Sequence, residues 1–156
     1  MQDNHLWIRA KAITIQTGPE ITGGFDVGFD SKIPEATKDA LMQFVYWVED
    51  HFDLPITLWV DFKYKHYLIS PQGKRVAYRF WWAGSASPAF HNPDDIPVIE
   101  LPVRTGHTSI NAILTAFIQA ISLYFAWLTG TLTDNAELDK NQVDAVLQAY
   151  LGEASI

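Results

Sequence analysis

The chain has 156 residues, 48% of them hydrophobic, with six Trp, six Tyr and nine Phe, and a formal charge of −7. That length and apolar content suit one packed domain over residues 1–156 and exclude a disordered chain. The absence of cysteine excludes disulfides, thiolate catalysis and cysteine metal sites, and the acidic balance, with eleven Lys and Arg dispersed along the chain, argues against wrapping nucleic acid. The opening MQDNHLWIRAK lacks the charged-then-apolar order of a secretory signal, so the expectation is a cytoplasmic protein.

Residues Leu6 to Gln16 alternate as a strand would, with Leu6, Ile8, Ala10 and Ala12 on one face and Trp7, Arg9, Lys11 and Ile13 on the other. Gly18, Pro19, Gly23, Gly24 and Gly28 then break the chain into turns, leaving room for a short strand near Phe25 to Phe29. Pro34 and Glu35 suit a first helical turn, and Leu41, Phe44, Val45, Val48 and Phe52 recur at helical spacing as one apolar stripe ending before Pro55.

Leu58, Val60, Phe62 and Tyr64 alternate against Trp59, Asp61, Lys63 and Lys65, the pattern of a half-buried strand. A hairpin is expected next, with arms His66 to Ser70 and Lys74 to Trp82 around Pro71-Gln72-Gly73. Ala83 to Asp95 reads as a long loop, of the kind that often carries function. Ile96 to Val103 reads as a further strand, and Pro97 and Pro102 suggest that it lies at a sheet edge, since proline donates nothing to a ladder.

From Thr108 to Thr133 the chain carries no charged side chain. A helix here would end at Gly130 and would place Asn111, Thr115, Gln119 and Ser122 on one narrow polar face, with the rest apolar. At about 1.5 Å per residue the run is long enough to cross a bilayer. The polar stripe, the lack of a flanking basic cluster and the amphipathic partners favour a buried core helix and no membrane. The stripe has two readings: the floor of a pocket, or a satisfied network in which Thr115 and Ser122 bond carbonyls of their own helix and Gln119 finds a buried partner. A last helix opens at Asp139 or Asn141 and carries Val143, Val146, Leu147 and Tyr150. The order of elements is α+β, with a twisted mixed sheet of four to five strands, a backing helix, a buried central helix and a C-terminal amphipathic helix.

Residues able to do chemistry are few. His5, His51, His66, His91 and His107 show no i, i+3 or i, i+4 pair, so the strong zinc spacings are missing. His91-Asn92-Pro93-Asp94-Asp95 gathers an imidazole and carboxylates, a pattern more often made of Asx turns than of metal ligands. Gly84-Ser85-Ala86-Ser87 lacks the context of a nucleophile elbow, Gly23-Gly24-Phe25-Asp26-Val27-Gly28 is no dinucleotide fingerprint, and Gly73-Lys74-Arg75 has no phosphate loop before it. Glu49-Asp50 and Asp94-Asp95 are adjacent acids of the ordinary surface kind. Trp81, Trp82 and Phe90 could form an aromatic platform, although consecutive rings leaving a strand cannot all face outward.

Phe44-Val45-Tyr46-Trp47-Val48, Leu54-Pro55, the strand Ile96 to Val103, Ala112-Ile113-Leu114 and Tyr124-Phe125-Ala126-Trp127-Leu128 together resemble the small zincin-like metallopeptidase domains of bacteria and phages, over about residues 33–151. The resemblance implies a backing helix, a sheet whose edge strand borders a cleft, and an active helix bearing HExxH. At the place of that motif stands Gln119-Ala120-Ile121-Ser122-Leu123, so Gln119 and Leu123 replace the histidines and Ala120 the catalytic glutamate. Glu137, Asp139 and Asp144 are the acids nearest a third ligand position. The implied protein is a degenerate domain without zinc, cofactor or peptidase activity. Its residual cleft would consist of Thr115, Gln119, Ser122, Leu123, Ile99, Glu100 and His107, with a peptide or protein partner pairing along the edge strand. Two alternatives are a hydrolase of another class using His91, Asp94 or His107, and a structural or assembly protein of phage or mobile-element origin.

Overall fold

A computed structural model describes residues 24–52, 54–83, 96–104, 108–130 and 138–154. The strand expected at Leu6 to Gln16 and the loop expected at Ala83 to Asp95 lie outside these residues, apart from Ala83 itself. In chain order the elements are β1 (Phe25–Phe29), α1 (Glu35–His51), β2 (Leu58–Lys63), β3 (Leu68–Ile69), β4 (Arg75–Val76), β5 (Arg79–Ala83), β6 (Ile96–Pro102), α2 (Ile110–Leu128) and α3 (Lys140–Ala154). The α+β class and the mixed sheet follow the sequence reading.

The main sheet has the order β1-β2-β6-β5, and a separate two-stranded ribbon pairs β3 with β4. β1, β2 and β6 are parallel, while β5 runs antiparallel to β6. Alternation decides which residues face the helices. In β2, Leu58, Val60 and Phe62 are buried, and the register sets Val60 beside Ile99 and Phe62 beside Leu101 on the same face. Phe25, Val27 and Phe29 of β1 join them, packed against the core.

α1 and α2 pack on that face, and α3 packs against these two helices. Phe117 of α2 sits at its centre, with ring centroids 5.8 Å from Phe25, 5.4 Å from Phe44 and 5.7 Å from Phe62, so that one side chain joins two strands and α1. α3 closes the far side, where Tyr150 meets Phe44 edge-on at 5.0 Å. Its end is fastened to α1 by Glu153, whose carboxylate accepts from Trp47 Nε1 at 2.9 Å and lies 2.9 Å from His51 Nε2. The start of α3 is a reciprocal cap: Gln142 N–H donates to Asp139 Oδ1 at 2.8 Å and Asp139 N–H to Gln142 Oε1 at 2.9 Å. The Asp139 carboxylate is thus engaged in capping.

Two expectations need correction. Ile96 to Val103 is not an edge strand: β6 is paired with β2 on one side and β5 on the other. Its prolines mark the ends of the strand, not its side. Pro97 precedes the first β2 partner, Val98, and Pro102 is the last, opposite Lys63, so the interior of the β2–β6 ladder keeps its donors, while on the other side Pro97 is the last pair but one with β5. The expected hairpin does form around Gly73, whose φ of 83° suits glycine, but its arms are only two residues long. The second arm breaks at Ala77 and Tyr78, and β5 leaves the ribbon to pair with β6.

Among the described residues α2 is the one helix long and apolar enough to cross a membrane, and here it is the core helix, with Phe117, Ile118, Ile121, Tyr124 and Phe125 buried between sheet and helices. Removing the ring at its centre should leave a cavity that close packing cannot refill. Phe117→Ala is expected to lower unfolding stability by about 3–5 kcal/mol, read as a reduced midpoint in urea denaturation at unchanged m-value.

Candidate functional site

The polar stripe of α2 resolves into a set of satisfied bonds. Ser109 caps the helix, accepting from Ala112 N–H at 3.2 Å. Thr115 Oγ1 donates to the Asn111 carbonyl at 2.8 Å, and the buried Ser122 Oγ donates to the Gln119 carbonyl at 2.5 Å. Gln119 makes two bonds to one backbone unit: its Nε2 donates to the Leu138 carbonyl at 2.6 Å, and its Oε1 accepts from Leu138 N–H at 2.9 Å. A primary amide is suited to this, since its donor and acceptor lie side by side and mimic a strand partner. The approach to α3 is thereby held against the middle of α2.

One turn further on, Tyr124 performs a similar task on the other side. Its hydroxyl accepts from Ile56 N–H at 3.3 Å and donates to the Ile56 carbonyl, fixing the segment between α1 and β2. Burial pushes the Tyr124 phenol far above its ordinary range, with the bond to the Ile56 backbone acting in the opposite direction. The ring stays neutral wherever the protein is folded under ordinary conditions.

The residues expected to line a residual cleft are therefore distributed as follows. Thr115, Gln119 and Ser122 share the stripe and are bonded within it. Leu123 is half-buried and Ile99 fully buried on the helix-facing side of β6. Glu100 lies on the opposite side of the sheet, directly across from Asp61 and Arg79, with Arg79 Nη1 at 3.3 Å and Lys63 Nζ at 4.0 Å. The sheet separates it from Gln119 and Ser122, so the described residues of the expected cleft do not all converge. His107, His91, Asp94, Phe90 and Glu137 lie outside the described residues. Asp144 is engaged with Lys140 at 3.7 Å. Among the described residues no three His, Asp or Glu side chains are grouped as metal ligands.

On the face of the sheet away from the helices, cross-strand rows are set by the register. Trp59, Val98 and Trp81 form one row, and Asp61, Glu100 and Arg79 the next. Val98 is 1% exposed and stands in register between two tryptophans that are 38% and 39% exposed. Trp82, by contrast, is buried and meets Trp127 at 6.0 Å, so only one of the two adjacent tryptophans is available as a platform.

A feature absent from the sequence reading lies at the carboxyl ends of the parallel strands. A cavity of about 500 Å³ is lined there by Tyr64, Lys65, His66, Tyr67, Arg79 and Arg104 among others. The contributing residues come from the exits of β2 and β6, the approach to the β3-β4 ribbon and the start of β5. Their separation in sequence hid the cluster, and the linear hint was Lys63, Lys65 and His66 within four residues.

Comparison with protein-family models, with curated proteins and with solved structures finds no match.

Gln119→Ala should lower stability by about 2 kcal/mol, because both Leu138 backbone groups lose their partner, while Thr115→Ala stays within about 0.5 kcal/mol. Paired denaturation curves check this. For Tyr124 the folded-state pKa is raised, so its contribution is complete below the unfolded-state value of roughly 10 and is lost as pH rises above it. Stability should therefore fall at alkaline pH, and Tyr124→Phe should make that fall shallower, as measured by unfolding midpoints across an alkaline pH series.

Proposed function

We propose that this chain is a cytoplasmic, non-catalytic domain that binds an extended segment of a protein or peptide partner along the free edge of β5. The observation that carries the reading is the position of β5 in the sheet. Among the described residues it pairs with β6 alone, so no second described strand lies along its other side. Its sequence, Arg79-Phe80-Trp81-Trp82-Ala83, contains neither proline nor lysine, the residues with which proteins usually blunt such an edge. Strand addition supplies backbone hydrogen bonds for affinity, and the exposed Trp81 offers a ring against alternate side chains of the incoming strand. The other edge, β1, is less suited, because Asp26 places a charge and Gly28 a bare backbone on it.

The cysteine-free composition supports a reducing compartment. A zincin-like descent is retained within this proposal on the order backing helix, sheet, buried helix and on the aromatic stretch Tyr124 to Leu128; the interior place of β6 counts against it. Catalysis by zinc finds no support in the stripe, where Gln119 and Ser122 are committed to backbone carbonyls.

The test is selection of short extended peptides from a displayed library, followed by amide chemical-shift mapping. Selected peptides should perturb the amides of β5 first and should bind at least about tenfold more weakly to Trp81→Lys, which loses the ring and gains an edge charge. Perturbations confined to other elements would contradict the reading. So would zinc retained after dialysis together with peptide hydrolysis that is lost in Gln119→Ala.

A further inference from the structure

We infer that the groove at the carboxyl ends of β2 and β6 is a binding site for a small molecule carrying two or more negative charges on oxygen. In a chain of net charge −7, this is where positive charge collects. Lys65, Arg79 and Arg104 line the cavity with His66, and Arg75 stacks on Tyr67, its guanidinium 4.4 Å from the ring centroid. Two carboxylates, Glu100 and Asp61, adjoin this cluster. Glu100 engages Arg79 and Lys63, while no carboxylate among the described residues pairs with Lys65 or Arg104.

The groups are arranged for an oxyanion. The Arg104 guanidinium lies 5.8 Å from the Tyr64 ring centroid, a contact that holds the cation over an aromatic face and leaves its N–H edge for an acceptor. Arginine forks match the geometry of phosphate and carboxylate oxygens, and lysine adds a mobile point charge. Arg79 is held at its base by β5 and on one side by Glu100, which limits its freedom before any ligand arrives. The location also obeys a general rule of open sheets, in which ligands occupy crevices outside the carboxyl ends of parallel strands. The cavity, about 500 Å³, is of small-molecule size, and the acidic remainder of the protein opposes an extended polyanion.

The groove shares only Arg79 with the free edge of β5, and failure of either test leaves the other standing. Isothermal titration with inorganic pyrophosphate and, separately, with citrate at low ionic strength tests the site. At least one of them should bind saturably at a single site, the tighter one assigning phosphate or carboxylate chemistry. Lys65→Gln and Arg104→Gln are surface changes that should preserve the near-ultraviolet dichroism, and each should weaken that binding roughly tenfold. Lys140→Gln, which removes a cation from the start of α3, should leave it within about twofold. No saturable binding of either anion, or equal weakening in all three variants, would overturn the inference.

Discussion

The rest of this fold depends on one constraint: the apolar side of α2 is buried in the core, so each polar group buried with it must find a partner there. The helix meets this in two ways. Thr115 and Ser122 turn back on carbonyls of their own helix. Gln119 and Tyr124 instead reach outward and bind the backbone of neighbouring segments at Leu138 and Ile56. The second pair does more than satisfy α2. Gln119 brings the start of α3 against the helix, and Tyr124 brings in the segment between α1 and β2, so two parts of the chain are positioned from opposite sides of α2. An uncharged amide and a phenol suit this role better than an acid or a base, since a charge at these places would need a buried counterpart.

This arrangement moves attention from the helix to the sheet. With α1, α2 and α3 all on one side, the opposite side carries rows of tryptophan and charged residues, and among the described strands the last on that side of β6 is β5, aromatic and proline-free. The two binding surfaces argued above come from the same topology. Among the described residues β5, which runs antiparallel to its neighbour, pairs with β6 alone, and that gives the edge. The basic groove exists because β2 and β6 run parallel and release Tyr64, Lys65 and Arg104 at the same end, where Arg79 begins β5.

Much of the fold was legible in the sequence, and the parts that were not share a cause. The apolar stripe Leu41, Phe44, Val45 and Val48, the alternation of Leu58, Val60 and Phe62, the Gly130 stop and the stripe Val143, Val146, Leu147 and Tyr150 are local periodicities, and each matches an element of the structure. Sheet order is not local. Pro97 and Pro102 correctly signalled a limit to pairing, but a proline at the end of a strand and a proline along an edge leave the same mark in sequence. The split of the second hairpin arm at Ala77 and Tyr78 likewise depends on β6, some twenty residues further on. For the site, the stripe itself was legible and its meaning was not: a glutamine on a buried face reads equally well as a ligand contact or as a backbone partner until Leu138 is placed beside it. The cations of the groove were hidden by their dispersal between Lys63 and Arg104.

The central claim is that the stripe of α2 is structural, and the Leu138 amide tests it most directly. Its N–H is held by Gln119 Oε1 at 2.9 Å, although Leu138 precedes α3 and has no place in a helical or strand ladder. Amide hydrogen exchange followed by nuclear magnetic resonance should find it protected by orders of magnitude in the native protein, with that protection lost selectively in Gln119→Met. Exchange of the Leu138 amide at the rate of an unstructured peptide, or unchanged protection in the variant, would contradict the account.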